Sequence, residues 1–471
     1  MADARPSVRP FDPPSVRIML LWTAAVLALC MVLVKAGPPT QIKLSRLAAE
    51  RRTTIEEEEW KEKAISKLWE ERKSMGHTPL VKFEPPGFPN VDIFFKNETA
   101  SKTRTLKHRF VWALIMWAIV DGKVNSKSTV YDSTSGNTGS SEAYMCTLVG
   151  LPYVAVISKD LEVEKIHQIT SNGGKTLKTE SSLRNAVAKE EAEKNNGYFI
   201  NQFGNAKNAE EFHESGGYPY ESTNVFHEIL EQLEENSNQT KKIPDYFIQD
   251  AGTGGTITSV GRYVNRYNLP TKIVLSDSEY SLFYDYVINN RFTNESGTQY
   301  WKNPGVAGIG YGYNTKPVIY GETTSLNPGV IDEAMKMPDI ASAAAAHVLR
   351  ERGIGGGTTT GLNFLVALYK AFIHKDDDNI KGRLTIATLI NDPGELYEST
   401  YFNSTWVESA FADKGGMDGL NCWKDVINDS IDNGSNFLKE GLTKCSNETE
   451  TRVKRWLDPT AHLLSSYDEL H

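Results

Sequence analysis

Six short runs rich in β-branched and aromatic residues, at 91–95, 129–131, 154–157, 246–249, 273–276 and 385–389, alternate with longer stretches of helical periodicity. A strand followed by a helix and then another strand closes into a right-handed crossover, which leaves the strands parallel and the helices on the faces of the sheet. The fold class is therefore α/β. Glycine-rich turns follow several of these runs, and open α/β sheets bind ligands at the carboxyl ends of their strands. A chain of 471 residues, 39% hydrophobic and 24% charged, has the material for a packed core over most of its length. Its net charge of -9 argues against nucleic acid as a partner, because such binders carry a basic face. Small molecules are expected instead.

An uncharged run at 18–34, bounded by Arg17 and Lys35, precedes this body. As a helix it reaches ~25 Å, within the range of a spanning segment. The expectation is one transmembrane helix after a flank at 1–17, and hence a membrane location. A cleaved signal peptide is the alternative, since Val34 and Ala36 offer small residues before a cut. Basic residues stand on both sides and set no orientation. The segment 35–73 is dense in Arg, Lys and Glu with Leu44, Leu47, Ile55, Trp60, Ile65 and Leu68 at helical spacing, and reads as an amphipathic helix pair. The body itself is assigned to 74–406. A polar, Asn-rich appendage fills 407–471, where Cys422 and Cys445 form the one pair able to make a disulfide. The cysteines have no CxxC spacing, so no metal is expected.

Two loops carry donors for anions. In the first, Gln249-Asp250-Ala251-Gly252-Thr253-Gly254-Gly255-Thr256, a strand leads into a helix through a turn whose glycines aim bare N–H groups outward, while the Thr253 and Thr256 hydroxyls add donors. This is built like a phosphate cup, although it is neither Walker A nor the spaced GxGxxG of dinucleotide folds. In the second, Ser133-Thr134-Ser135-Gly136-Asn137-Thr138-Gly139-Ser140, hydroxyls and N–H groups at a helix start suit a carboxylate, and the Asn137 amide can donate to a phenolate oxygen. Each loop alone is equally an ordinary turn or N-cap. Together with one lysine they make the set that pyridoxal phosphate (PLP) requires: an imine-forming amine, a phosphate cup and a separate carboxylate site.

The lysine is found through a family likeness. Over about residues 74–406 the sequence resembles the cysteine synthase and cystathionine β-synthase branch of fold type II PLP enzymes. Ser74-Met75-Gly76-His77-Thr78-Pro79-Leu80-Val81 is similar to its opening motif, and residues 96–109 align without a gap on its lysine motif. The resemblance implies a two-lobed, tryptophan synthase β-like architecture with a Schiff base on Lys107. It places Asn137 at the ring hydroxyl, and Gly252, Thr253, Gly254, Gly255 and Thr256 at the phosphate. Thr134, Ser135, Thr138 and Gln202 fall to the substrate side. Thr359, in Gly357-Thr358-Thr359-Thr360-Gly361, is implied as partner of the pyridine nitrogen, and a hydroxyl there makes the cofactor a mild electron sink.

The activity so implied is β-elimination or β-replacement on a serine- or cysteine-like amino acid with a thiol or sulfide, by a homodimer. A serine/threonine dehydratase and a PLP-binding membrane protein with little turnover are the alternatives. Ser101-Lys102-Thr103-Arg104-Thr105 replaces the family's Asn-Pro-Gly-Gly-Ser, and His108 replaces the Asp after its lysine. Lys102 and Arg104 are expected either to bind an acidic co-substrate or to mark a site drifting from catalysis.

Overall fold

The computed structural model describes residues 38–213, 222–288, 297, 299–312, 324–376 and 382–446. The chain divides into two units, Met1–Glu62 and Lys63–His471. The apolar run at 18–34 lies outside the described residues. Among those described, no helix is long and apolar enough to cross a membrane.

In chain order the elements are α1 (Pro38–Ser74), β1 (Leu80–Phe83), β2 (Val91–Asn97), α2 (Lys107–Val120), β3 (Val130–Ser133), α3 (Asn137–Val149), β4 (Tyr153–Ser158), α4 (Val163–Ser171), β5 (Lys175–Thr179), α5 (Arg184–Lys194) and β6 (Tyr198–Phe199). There follow α6 (Gln202–His213), α7 (Val225–Glu235), β7 (Tyr246–Asp250), α8 (Gly255–Arg266), β8 (Lys272–Ser278), α9 (Phe283–Ile288), β9 (Glu333–Met337), α10 (Asp339–Glu351), α11 (Thr358–Ile373), β10 (Leu384–Ile390), α12 (Ser404–Ala410), α13 (Gly416–Asn433) and α14 (Phe437–Lys444).

All six expected strands are present, and they form two sheets. The larger runs β1-β2-β10-β7-β8-β9 and the smaller β5-β4-β3-β6. Every pairing is parallel except that of β1 with β2. The central strands are apolar on both faces because helices cover both: β10 is buried along its whole length, and so is β2 up to Asn97. One side of the larger sheet packs on α10, α11, α13 and α14, the other on α7 and α8.

Two expectations need correction. The segment 35–73 is not a pair of helices: α1 is continuous over Pro38–Ser74, with no glycine or proline after its first turn to interrupt it. Its last turns are seated on the body, where Leu68 is fully buried, its carbonyl accepts from Trp112 Nε1 at 2.6 Å, and Trp69 stands edge-on to Trp112 at 5.4 Å. The described part of the appendage, 407–446, is helical but not peripheral. Trp423, Ile427, Ile431, Phe437, Leu438 and Leu442 join the apolar cluster of the larger sheet, and Cys422 is bonded to Cys445 across α13 and α14. Its many polar residues lie on the outer faces of amphipathic helices, so composition understated how much of it is core.

Candidate active site

The carboxyl ends of β3, β4, β7 and β10 open on one cavity of about 580 Å³ between the two sheets. Lys107 lines it from the first position of α2, and Asn137 from the first position of α3. The turn after β7 contributes Gly252 and Thr253 just ahead of α8, and α11 contributes Thr359 from its first turn. Helix N-termini with free N–H groups thus converge there, which suits a ligand with more than one anionic group.

Lys107 Nζ forms no hydrogen bond or ion pair among the described residues and lies 5.7 Å from the centre of the Phe110 ring. Burial pushes its ammonium below the ordinary lysine range, with the Asp250 carboxylate acting in the opposite sense. A second lysine, Lys165 on α4, also lines the cavity. It lies 3.2 Å from Glu162 and 4.1 Å over the Tyr397 ring.

The carboxylate loop is braced from within. Thr134 Oγ1 accepts from the N–H groups of Gly136 (3.1 Å) and Gly139 (3.0 Å), and Thr134 does not line the cavity. Its hydroxyl oxygen thus shapes the loop that carries Ser135, Asn137 and Thr138. Ser135, Thr138 and Gln202 do line the cavity. Thr138 Oγ1 donates to Gln202 Oε1 at 2.6 Å, while Gln202 Nε2 donates to the Ser133 carbonyl at 2.7 Å, so glutamine and loop are locked together. Asn137 Nδ2 donates to Asp392 Oδ2 at 2.8 Å, and its Oδ1 is buried without a protein partner.

In the glycine turn, Gly254 adopts φ 82°, and a Cβ there would stand 2.4 Å from the Leu326 nitrogen. A Cβ on Gly252 would meet the Gly308 carbonyl oxygen at 2.6 Å. Gly254, Gly255 and Thr256 do not line the main cavity; Gly255 and Thr256 border a neighbouring small one. Gly252 and Thr253 are thus the members of the expected phosphate cup that line the main cavity.

The rebuilt loop also differs from expectation. Lys102 pairs with Glu71 at 3.5 Å, Arg104 pairs with Glu395, and neither lines the cavity. Arg104 adopts φ 58°, a conformation that glycine takes without cost, so the family's glycine turn survives here on an arginine backbone. His108 is buried, with Nε2 3.1 Å from Glu71 Oε1 and Nδ1 3.3 Å from Thr103 Oγ1. Lys102 and His108 thus tie the lysine loop to Glu71 on α1, and Arg104 ties it to Glu395.

Asp250 and Asn391, to which the motif reading gave no role, also line the cavity. Asp250 ends β7 and lines the cavity; its Oδ2 accepts from Asn363 Nδ2 (2.9 Å), Asn391 Nδ2 (2.5 Å) and Gln249 Nε2 (3.2 Å). Asn391 Nδ2 also lies 3.0 Å from Thr359 Oγ1. An acid at the last position of a buried strand, directly before a glycine turn, was the available signal.

Residues 72–392 match the family described as pyridoxal-phosphate dependent enzyme. The chain belongs to that family. It is 62% identical over 408 residues to a Caenorhabditis elegans protein assigned as pyridoxal-phosphate dependent, covering 86% of this chain and 94% of that one. It is 31% identical over 364 residues to the L-cysteine desulfhydrase Cds1 of Mycobacterium tuberculosis, covering 76% of this chain and 92% of that enzyme. Among solved structures, O-ureido-L-serine synthase superposes with a TM-score of 0.56 at 22% identity over 70% of this chain and 93% of the synthase, a likeness of fold.

The residues present fit PLP. The family's cofactor needs an unpaired amine, a donor near the ring hydroxyl and a close backbone approach for phosphate. Lys107, the Asn137 amide nitrogen, which gives one of its two N–H groups to Asp392, and the Gly252 turn, which a Cβ would obstruct, meet these needs in one cavity. Gly252→Ala is accordingly expected to weaken cofactor binding on the order of 10-fold, as read by cofactor titration of the apoprotein, because the added methyl has backbone and not a flexible side chain to displace.

Proposed function

We propose that the chain catalyses β-elimination or β-replacement on a cysteine- or serine-like amino acid with a thiol or sulfide as leaving or entering group, Lys107 being the residue that carries the cofactor. The observation behind this reading is Lys107 itself. It is a cavity lysine without an ion pair at a helix N-terminus, facing a braced carboxylate loop on one side and a glycine turn on the other. The similarity to a cysteine desulfhydrase favours elimination from cysteine.

PLP, when bound, supplies the electron sink for the pair left at Cα when its proton is removed. The chain's own part is positional and acid–base. The N–H groups at the start of α8, with Gly252 and Thr253, would hold the phosphate, and Asn137 the ring hydroxyl. Ser135, Thr138 and the N–H groups at the start of α3 would bind the substrate carboxylate, with Gln202 fixing the Thr138 hydroxyl. Lys107 Nζ would take the α-proton. The burial that lowers its pKa leaves more of it as free amine at neutral pH. By family habit the working unit is a homodimer.

Purified protein reconstituted with PLP is expected to release sulfide and a keto acid from cysteine, and to form a thioether when a second thiol is supplied. Keto acid from serine with no thioether under any thiol would instead mark a dehydratase. Cofactor uptake without product from any amino acid would overturn the proposal.

A further inference from the structure

Asp250 has a hydrogen-bonding pattern that its place at the end of a strand does not require. Three side-chain amides, from Gln249, Asn363 and Asn391, all donate to Oδ2. Oδ1 accepts none of the bonds formed among the described residues, yet it is not sealed in, since Asp250 is 7% exposed and lines the cavity. Amide donors orient a carboxylate without neutralising it. Lys107 acts on Asp250 through space as a cation, against the like charge of Asp392. An open carboxylate oxygen in a desolvated site is completed best by a cationic N–H donor. Asn391 Nδ2, which contacts both Asp250 Oδ2 and Thr359 Oγ1, puts this oxygen at the same end of the cavity as Thr359.

We propose that Asp250 keeps the ring nitrogen of the bound cofactor protonated, so that a carboxylate acts where the sequence resemblance offered the Thr359 hydroxyl. This rests on the proposed function, in which PLP occupies the cavity, and on Thr359 as the residue that the sequence resemblance implies at the ring nitrogen. The amide trio fixes Oδ2, leaving Oδ1 to accept from the protonated nitrogen, and the resulting ion pair offsets the burial of both charges. Burial raises the Asp250 carboxyl to about 6, against the amides of Asn363 and Asn391, which lower it, so near neutrality it is available as the carboxylate such a pair needs. A protonated ring is a stronger electron sink than a hydroxyl partner allows. The expectation of a mild sink drawn from Thr359 is thereby replaced.

The test is the 15N resonance of ring-labelled PLP bound to the full chain. In the unaltered protein it is expected at the position of a protonated pyridinium at neutral pH. In Asp250→Asn it is expected to move toward that of neutral pyridine while the visible band still reports bound cofactor, with kcat falling on the order of 10²-fold. A neutral nitrogen in the unaltered holoenzyme overturns the proposal whether or not the variant folds, and leaves the assignment of Lys107 standing. A pyridinium signal that Asp250→Asn leaves in place also overturns it. Failure of the chain to take up PLP overturns both readings.

Discussion

Lys107→Ala is expected to abolish the visible band of covalently held cofactor and to lower turnover by roughly 10³-fold or more, since the anchor and the base are lost together. The cavity offers two lysines, so the choice between them is open to a direct chemical check. Lys165 is engaged by Glu162 at 3.2 Å and by the Tyr397 ring at 4.1 Å, contacts it would have to give up to reach a carbonyl. Lys107 forms no ion pair among the described residues, the ring it faces, Phe110, stands farther off at 5.7 Å, and its burial favours the free amine, the form that attacks a carbonyl. Borohydride reduction of the holoenzyme followed by peptide mass analysis should place the cofactor mass on the peptide containing Lys107. Lys165→Met should retain the band. Cofactor mass on the Lys165 peptide would end the assignment.

The same contrast shows what a linear sequence reveals. Lys107 was legible because the family's lysine motif runs through it without a gap, and the two anion loops because glycine and hydroxyl residues cluster where strands give way to helices. The six strands read from the sequence are the buried parallel ones, whose apolar runs need no alternation to be recognised. Those missed were β1, β5, β6 and β9. Three of them are edge strands of four or five residues with part-exposed positions, and β5 is as polar as Lys175-Thr176-Leu177-Lys178-Thr179. The fourth, β6, also closes an edge and is two residues long.

What the sequence concealed in the site are partners far apart in the chain. Nothing local to Asp250 announces that Asn363 and Asn391 converge on it, and nothing near Lys102 or His108 points to Glu71, more than thirty residues earlier. Charges written into a rebuilt loop therefore looked directed at a substrate, whereas the fold pairs Lys102 with Glu71 on α1 and Arg104 with Glu395.

Long-range pairing of this kind also yields the largest expected effect on stability, at Arg109. This residue stands two positions after Lys107 on α2. Its guanidinium reaches Glu98 with Nε and Nη2 at 2.9 Å each, Glu228 with Nη1 at 2.6 Å and the Thr223 carbonyl at 2.8 Å. Lys96 adds its ammonium at 2.9 Å from Glu228. Two cations and two carboxylates thus balance in a buried knot joining β2, α2 and α7. Arg109→Met removes one cation and leaves Glu98 and Glu228 sharing Lys96, at an expected cost of ~3–5 kcal/mol in denaturant unfolding at pH 7. Arg109→Lys should recover only part of this, because an ammonium cannot reproduce the fork on two carboxylates. Burial alone would raise the pKa of Glu228; Arg109 and Lys96 overcome it and hold the group at about 2. A carboxylate so depressed contributes its full stability above its unfolded pKa of roughly 4.3 and loses that contribution as pH falls toward 2. The gap between Arg109→Met and the unaltered protein should therefore be widest near neutrality and narrow on acidification through that window. A gap independent of pH would mean that Arg109 acts through packing, with the ion pairs incidental to the seating of the helix that begins at Lys107.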